Sequence, residues 1–246
     1  MRKLFLHVGF AKCGSTSLQA AFAKSHGVVY PLSGNNAGEH LALALSLRGI
    51  DEWTRQFFDE AWVAQGMAGI WSEIVACDLP VILSSERLAA MSSDQIERTA
   101  EIFRDFDVQI IFIKRDVVRY LNSTWRHAVF HHDYAEAYQV FCERTRKFSF
   151  GGGIAEFERF FPVHVFDMED EGYIAALSAL VGTQLNLPRK NIGVPFDFAE
   201  HLQKTHALLG TAAFKARFDS ATKRQMLRIW NGECVAELEP LRVPLF

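Results

Sequence analysis

The chain has 246 residues, 49% of them apolar and 22% charged, enough to build a large core and at odds with extensive disorder. With 26 basic and 29 acidic side chains its net charge is −3, so bulk charge does not draw it to nucleic acid. Cys13, Cys77, Cys142 and Cys234 stand far apart without a C-x-x-C pair, which excludes a zinc or disulfide framework and points to reduced thiols. No apolar stretch approaches the ~18 residues of a membrane span, and the apolar run at the N-terminus is too short for a signal segment. A cytoplasmic location is the expectation.

In chain order, Leu4, Phe5, Leu6 and Val8 form the apolar run of a buried parallel strand, which Gly9 ends. Ser15, Thr16 or Ser17 then caps a helix running through Phe22. Val28 to Tyr30 reads as a short strand stopped by Pro31, followed by a polar loop to Gly38. Glu39 and His40 open an apolar helix, Leu41 to Leu47. Trp53, Phe57, Phe58 and Trp62 recur at helical spacing and are expected in the core. Pro80 to Ser84 is a strand, and Ser85, Glu86 and Arg87 follow at its carboxyl end, where α/β sheets bind ligands.

Ser92 and Gln95 have the spacing of a capping box for a helix to Phe106. Val108 to Ile113 is a strand that runs into Lys114-Arg115-Asp116 and a further helix. The adjacent histidines of His131-His132-Asp133 do not face one centre on a helix, so a solvated helix end is expected there. Helix is predicted over Glu136–Lys147, then a break at Gly151–Gly153, a helix from Ile154 to Phe161, a strand from Val163 to Phe166 and a helix from Glu169 to Val181. A basic loop with Arg189 and Lys190 precedes a helical stretch from about 196 to Leu238, and the short tail is expected to dock on the body. No repeat or linker interrupts the chain, so one domain over 1–246 is expected, with a helical C-terminal part from about 196. The β–α alternation predicts a three-layer α/β fold: a central, mostly parallel sheet with helices on both faces.

The first strand, loop and helix form a phosphate site by construction, because a helix N-terminus offers unpaired N–H groups and the positive end of a dipole. Gly9 and Gly14 have the spacing of a nucleoside triphosphatase loop, but Ser15 stands where that loop has its lysine, and the lysine is Lys12. The run Lys12-Cys13-Gly14-Ser15-Thr16-Ser17 resembles the 5′-phosphosulfate loop of sulfotransferases that use 3′-phosphoadenosine 5′-phosphosulfate (PAPS). About a hundred residues on, strand–Arg115-Asp116-x-x-Arg119-x-x-x-Ser123 resembles the same family's 3′-phosphate site. The likeness is nearer the carbohydrate and bacterial type.

The resemblance implies a P-loop-like α/β fold, PAPS as sulfuryl donor and no metal. It implies that Lys12, Cys13, Gly14, Ser15, Thr16 and Ser17 hold the 5′ end of the donor, with Lys12 neutralising the leaving oxygen. Arg115 and Ser123 would then grip the 3′-phosphate. The acceptor is expected to be a carbohydrate or small molecule with a hydroxyl or amine. Its proton needs a base, for which Glu39, His40 and Glu86 are candidates; His40 is preferred because its ordinary pKa suits neutral pH. Cys13 is read as a small loop filler. Two other readings stay open: a P-loop kinase with a displaced lysine, for which Asp116 is the one well-placed acid, and a non-catalytic module that binds nucleotide or glycan.

Overall fold

The computed structural model describes residues 1–188 and 194–231. In chain order the elements are β1 (Arg2–His7), α1 (Ser15–Phe22), α2 (Leu41–Arg48), α3 (Glu60–Val75), β2 (Val81–Ser84), α4 (Ser93–Ile102) and β3 (Phe106–Lys114). There follow α5 (Val117–His132), α6 (Tyr138–Arg144), α7 (Gly151–Glu158), β4 (Val163–Asp167), α8 (Tyr173–Val181), α9 (Phe196–Leu209), α10 (Thr211–Arg217) and α11 (Ser220–Trp230). Two 3-10 turns, Thr54–Gln56 and Glu86–Ala90, complete the described elements. Of the described residues, 1–116 and 149–188 form one compact unit, and 117–148 and 194–231 a second.

The first unit carries an all-parallel sheet of order β2-β1-β3-β4. This is the α/β fold that the strand–helix alternation predicts. In β1 and β2 the stretches Leu4–His7 and Val81–Ser84 are buried throughout, which is why Leu4–Leu6 and Val81–Leu83 read as apolar runs. Register pairs Leu6 with Leu83 on one side and with Ile110 on the other. Around these strands Leu43, Ile70, Ile74, Leu88, Ile96, Phe103, Phe112 and Phe157 close one continuous core. Local chemistry starts and stops the helices. Ser92 and Gln95 make the predicted capping box on α4, Asp59 accepts from Trp62 N–H at the start of α3, and Gly182 ends α8 in the left-handed region. The second unit has its own aromatic core, with Trp125, Phe130, Phe198 and Phe214 at its centre.

Several expectations are corrected. Val28 to Tyr30 makes only a single parallel bridge, Val29 to Val81, because Pro31 breaks the run. Gly151–Gly153 is the first turn of α7 rather than a break before it; a side chain at Gly153 would come within 3.4 Å of Phe10 Cζ, so tight packing explains one of the three glycines. Trp53 and Phe57 are 62% and 63% exposed and lean on each other at 5.2 Å, while only Phe58 and Trp62 pack against the core. Arg189, Lys190, Cys234 and the tail lie outside the described residues.

Candidate functional site

Strand order decides where chemistry gathers. The chain leaves β1 towards β2 on one side and reaches β3 on the other, so the crevice of an open parallel sheet falls at the carboxyl ends of β1 and β3. The loop after β1 stays bonded to β3: Val8 N–H donates to Ile111 O at 3.1 Å, Phe10 N–H to Ile113 O at 3.2 Å and Ile113 N–H to Gly9 O at 3.1 Å. Gly9 has φ 129°, and a Cβ there would lie 2.9 Å from Ala89 Cβ and 3.3 Å from Glu86 O. Only glycine lets the loop lie against the turn after β2. Lys12 is left-handed at φ 63°, and Gly14, at φ 78°, occupies the N-cap of α1 without a side-chain cap. The N–H groups of Ser17 and Leu18 donate to Gly14 O at 3.1 Å, and those of Ser15 and Thr16 have no intrahelical acceptor.

Within this loop the candidate residues have different fates. Lys12 is partly buried, and that burial pulls its ammonium below the usual lysine range against the charge of Glu86. Cys13 is buried, its N–H is spent on Phe10 O at 3.3 Å, and burial pushes its thiol up to about 12, so it is loop filler and unreactive. Ser15 is 4% exposed and its hydroxyl donates to Glu86 Oε1. Thr16 lines a cleft of about 330 Å³ together with Gln19, Asn36, Glu39, Glu86 and Arg87.

Arg115 stands at the end of β3, as the sequence suggests. Its Nη1 donates to the carbonyl of Lys12 at 3.0 Å, which supports the left-handed loop residue. Nη2 lies 3.4 Å from Glu169 Oε1, and Nε is buried with no hydrogen-bond partner among the described residues. An orphaned guanidinium donor beside a phosphate-type loop suits an anion. Ser123 lies on α5, part-exposed, in the second unit.

Glu86 is the first residue of the turn after β2. Burial raises its pKa above the ordinary carboxylate value, Ser15 opposes that rise by hydrogen bonding, Glu39 adds to it, and Lys12 and Arg87 counter it. Glu39 is already engaged: Oε2 accepts from Ser85 Oγ at 2.9 Å and Oε1 from Arg87 Nε at 3.3 Å.

The preference for His40 as base is corrected. Its ring is 0% exposed; Ser84 N–H donates to Nδ1 at 3.0 Å, which leaves the proton on Nε2 to donate to Pro31 O at 2.9 Å. Burial lowers its pKa to about 4. The ring fastens the loop before α2 to the end of β2, and both nitrogens are spent on backbone groups. A second buried histidine, His7, meets Ser84 Oγ at 2.7 Å, and Gln19 Nε2 donates to the same hydroxyl at 3.2 Å. Sequence reasoning gave Gln19 no role, although it lies one turn after Ser15 on α1; Arg87, which it placed with Glu86 at the ligand-binding end of a strand, lines the cleft beside it.

Among the described residues no three of His, Cys, Asp and Glu converge to hold a metal. Asp133 of the His-His-Asp run accepts from the buried Lys223 ammonium at 2.5 Å. No described helix is long and apolar enough to cross a membrane.

No family model and no curated protein matches the sequence. Among solved structures the chain is similar to a sulfotransferase from Alicyclobacillus acidocaldarius, with a TM-score of 0.55 at 16% identity over 87% of this chain and 99% of that one. At that identity the likeness shows the fold, and function has to be argued from the site. A structure from the PezAT chromosomal toxin-antitoxin system of Streptococcus pneumoniae aligns with a TM-score of 0.39 at 11% identity, over 85% of this chain and 88% of that chain, and carries no argument.

Proposed function

We propose that this protein moves a sulfuryl group from PAPS to a hydroxyl or amine of a carbohydrate or small molecule. The observation that carries the reading is one arrangement: the lysine-bearing loop at the N-terminus of α1 meets the carboxylate of Glu86 across Ser15, beside an open cleft. The fold shared with a sulfotransferase supports it.

The donor fits the residues present. The unpaired N–H groups at the start of α1 and the hydroxyls of Thr16 and Ser17 suit its 5′-phosphate, and the orphaned Nε of Arg115 suits its 3′-phosphate. The donor supplies an activated sulfuryl group on a phosphate leaving group. Glu86 takes the acceptor proton as the new bond to sulfur forms, and Lys12 neutralises charge on the departing bridge oxygen. Beyond this proton transfer, the chain contributes positioning and charge stabilisation, as in phosphoryl transfer. Burial raises the pKa of Glu86, so it accepts a proton more readily than an ordinary carboxylate.

Calorimetry with adenosine 3′,5′-bisphosphate, adenosine 5′-monophosphate and ATP, each without and with magnesium, tests the reading. The expected result is metal-independent binding of the bisphosphate at least tenfold tighter than the monophosphate. Arg115→Ala should erase that preference; if Arg115 only supports the Lys12 carbonyl, both ligands weaken equally and the preference survives. Binding of ATP alone, dependent on magnesium, would replace this reading with the kinase one.

A further inference from the structure

Ser15 is the first helical residue after the glycine of the donor loop, where a hydroxyl is expected to face phosphate. Its proton instead goes to Glu86 Oε1, and the side chain is almost fully buried. Thr16, the next residue, lines the cleft; Ser15 does not. The backbone forces this division. Gly9 presses the loop against the carbonyl of Glu86, so the turn after β2 and the start of α1 are held side by side. Ser85 N–H donates to His7 O at 3.0 Å, which anchors that turn to the strand the loop leaves.

From this geometry we infer that Ser15 is the positioning residue of the base Glu86 rather than a ligand of the donor phosphate. A hydroxyl has one proton to give. Spent on a carboxylate oxygen, it fixes the rotamer of Glu86 and favours its ionised form, and it is lost to phosphate. The loop that holds the donor thereby also holds the base. The groups that face Glu86 are Ser15 on α1, Lys12 in the loop, Glu39 before α2 and Arg87 on its own turn. Of these Ser15 alone bonds it through a neutral donor, so its removal changes no charge.

The inference rests on the sulfotransferase reading for the word base, and its test does not. Carbon-13 NMR of protein labelled at the glutamate carboxyl carbons, with the Glu86 signal assigned by Glu86→Gln, follows the titration of Glu86 directly. Loss of a hydrogen bond to the ionised form raises the midpoint, by about one to two pH units. Ser15→Ala should show that rise and Ser15→Thr should return the midpoint to the wild-type value. Calorimetry on the same variants should find adenosine 3′,5′-bisphosphate affinity within about threefold of wild type. Should Ser15→Ala fail to fold, Ser15→Cys, a weaker donor of similar size, must move the midpoint in the same direction.

An unmoved midpoint in Ser15→Ala overturns the inference. So does a fall in bisphosphate affinity beyond tenfold, which would return Ser15 to the phosphate. If wild-type protein binds no bisphosphate, the sulfotransferase reading fails by itself, and the titration still decides whether Ser15 controls Glu86.

Discussion

A buried imidazole, His40, and a half-buried carboxylate, Glu86, were both candidates for the base, and their hydrogen bonds separate their roles. His40 has both nitrogens committed to backbone groups of Ser84 and Pro31, so its worth is structural. Glu86 faces the cleft and is bonded by a hydroxyl whose rotation is free to follow its ionisation. Exchange of each should give opposite signatures. In Glu86→Gln the turnover number should fall at least about 100-fold, as loss of a general base does, with urea stability near wild type. In His40→Phe the Ser84 N–H and the Pro31 carbonyl lose their partner, at roughly 1–3 kcal/mol for each buried orphan. Its stability should fall by about 2–4 kcal/mol while the folded protein keeps its turnover number within a few-fold. The sequence prefers His40 over Glu39 and Glu86 on its ordinary pKa, because residue type and place after a strand do not reveal which side chain the fold encloses.

At the scale of elements, three segments meet at one small-residue contact. A Cβ on Gly66 of α3 would lie 2.6 Å from Ala42 Cβ of α2 and 2.9 Å from Gly34 Cα in the preceding loop. That loop ends at His40 and carries Asn36 and Glu39 into the cleft, so the packing of α2 on α3 sets the cleft wall. Gly66→Ala gains about 1 kcal/mol of helix propensity and must push two backbones apart to fit. Overpacking of this kind costs about 1–3 kcal/mol. A net loss of stability in thermal melts is the expected outcome, and an unchanged or raised melting temperature would show that α2 and α3 yield freely. No periodicity announces such a contact, since Gly66 sits in a helix that is otherwise regular. The ends of helices were easier: the capping box at Ser92 and Gln95 is local chemistry, written in four consecutive residues.

For the whole molecule, two buried histidines make folding sensitive to mild acid. Burial lowers both His7 and His40 from 6.5 to about 4. Between these values the unfolded chain binds protons that the folded chain refuses, so stability rises with pH across this window. Their contribution is complete above about pH 6.5 and is lost as pH falls towards 4, at roughly 3 kcal/mol for each histidine over about 2.5 units. Urea unfolding at pH 7, 5.5 and 4.5 should show a steady fall of several kcal/mol, and a flat profile would mean that neither ring is held neutral. His40→Phe removes one of the two contributions, so its stability should depend less steeply on pH than that of wild type. The two compact units each have an apolar core of their own, and both histidines belong to the first, so acid should act there.

The amino-acid sequence by itself determined the α/β class, the strand that leads into Lys12, the glycine-rich start of α1 and the arginine at the end of β3. These are short-range features, written in runs of apolar residues and in the turn chemistry beside them. Tertiary structure decided the rest, because burial and partnership are set by segments far apart in the chain. Strand order brought the turn at Glu86 against the loop at Gly9, across more than seventy residues of sequence. That contact holds the Ser15 hydroxyl on Glu86, and the packing of the loop before α2 on β2 closed His40 off from solvent. A pattern of residue types carries no record of which of two equivalent side chains is enclosed, and enclosure is what sets their pKa values and their roles.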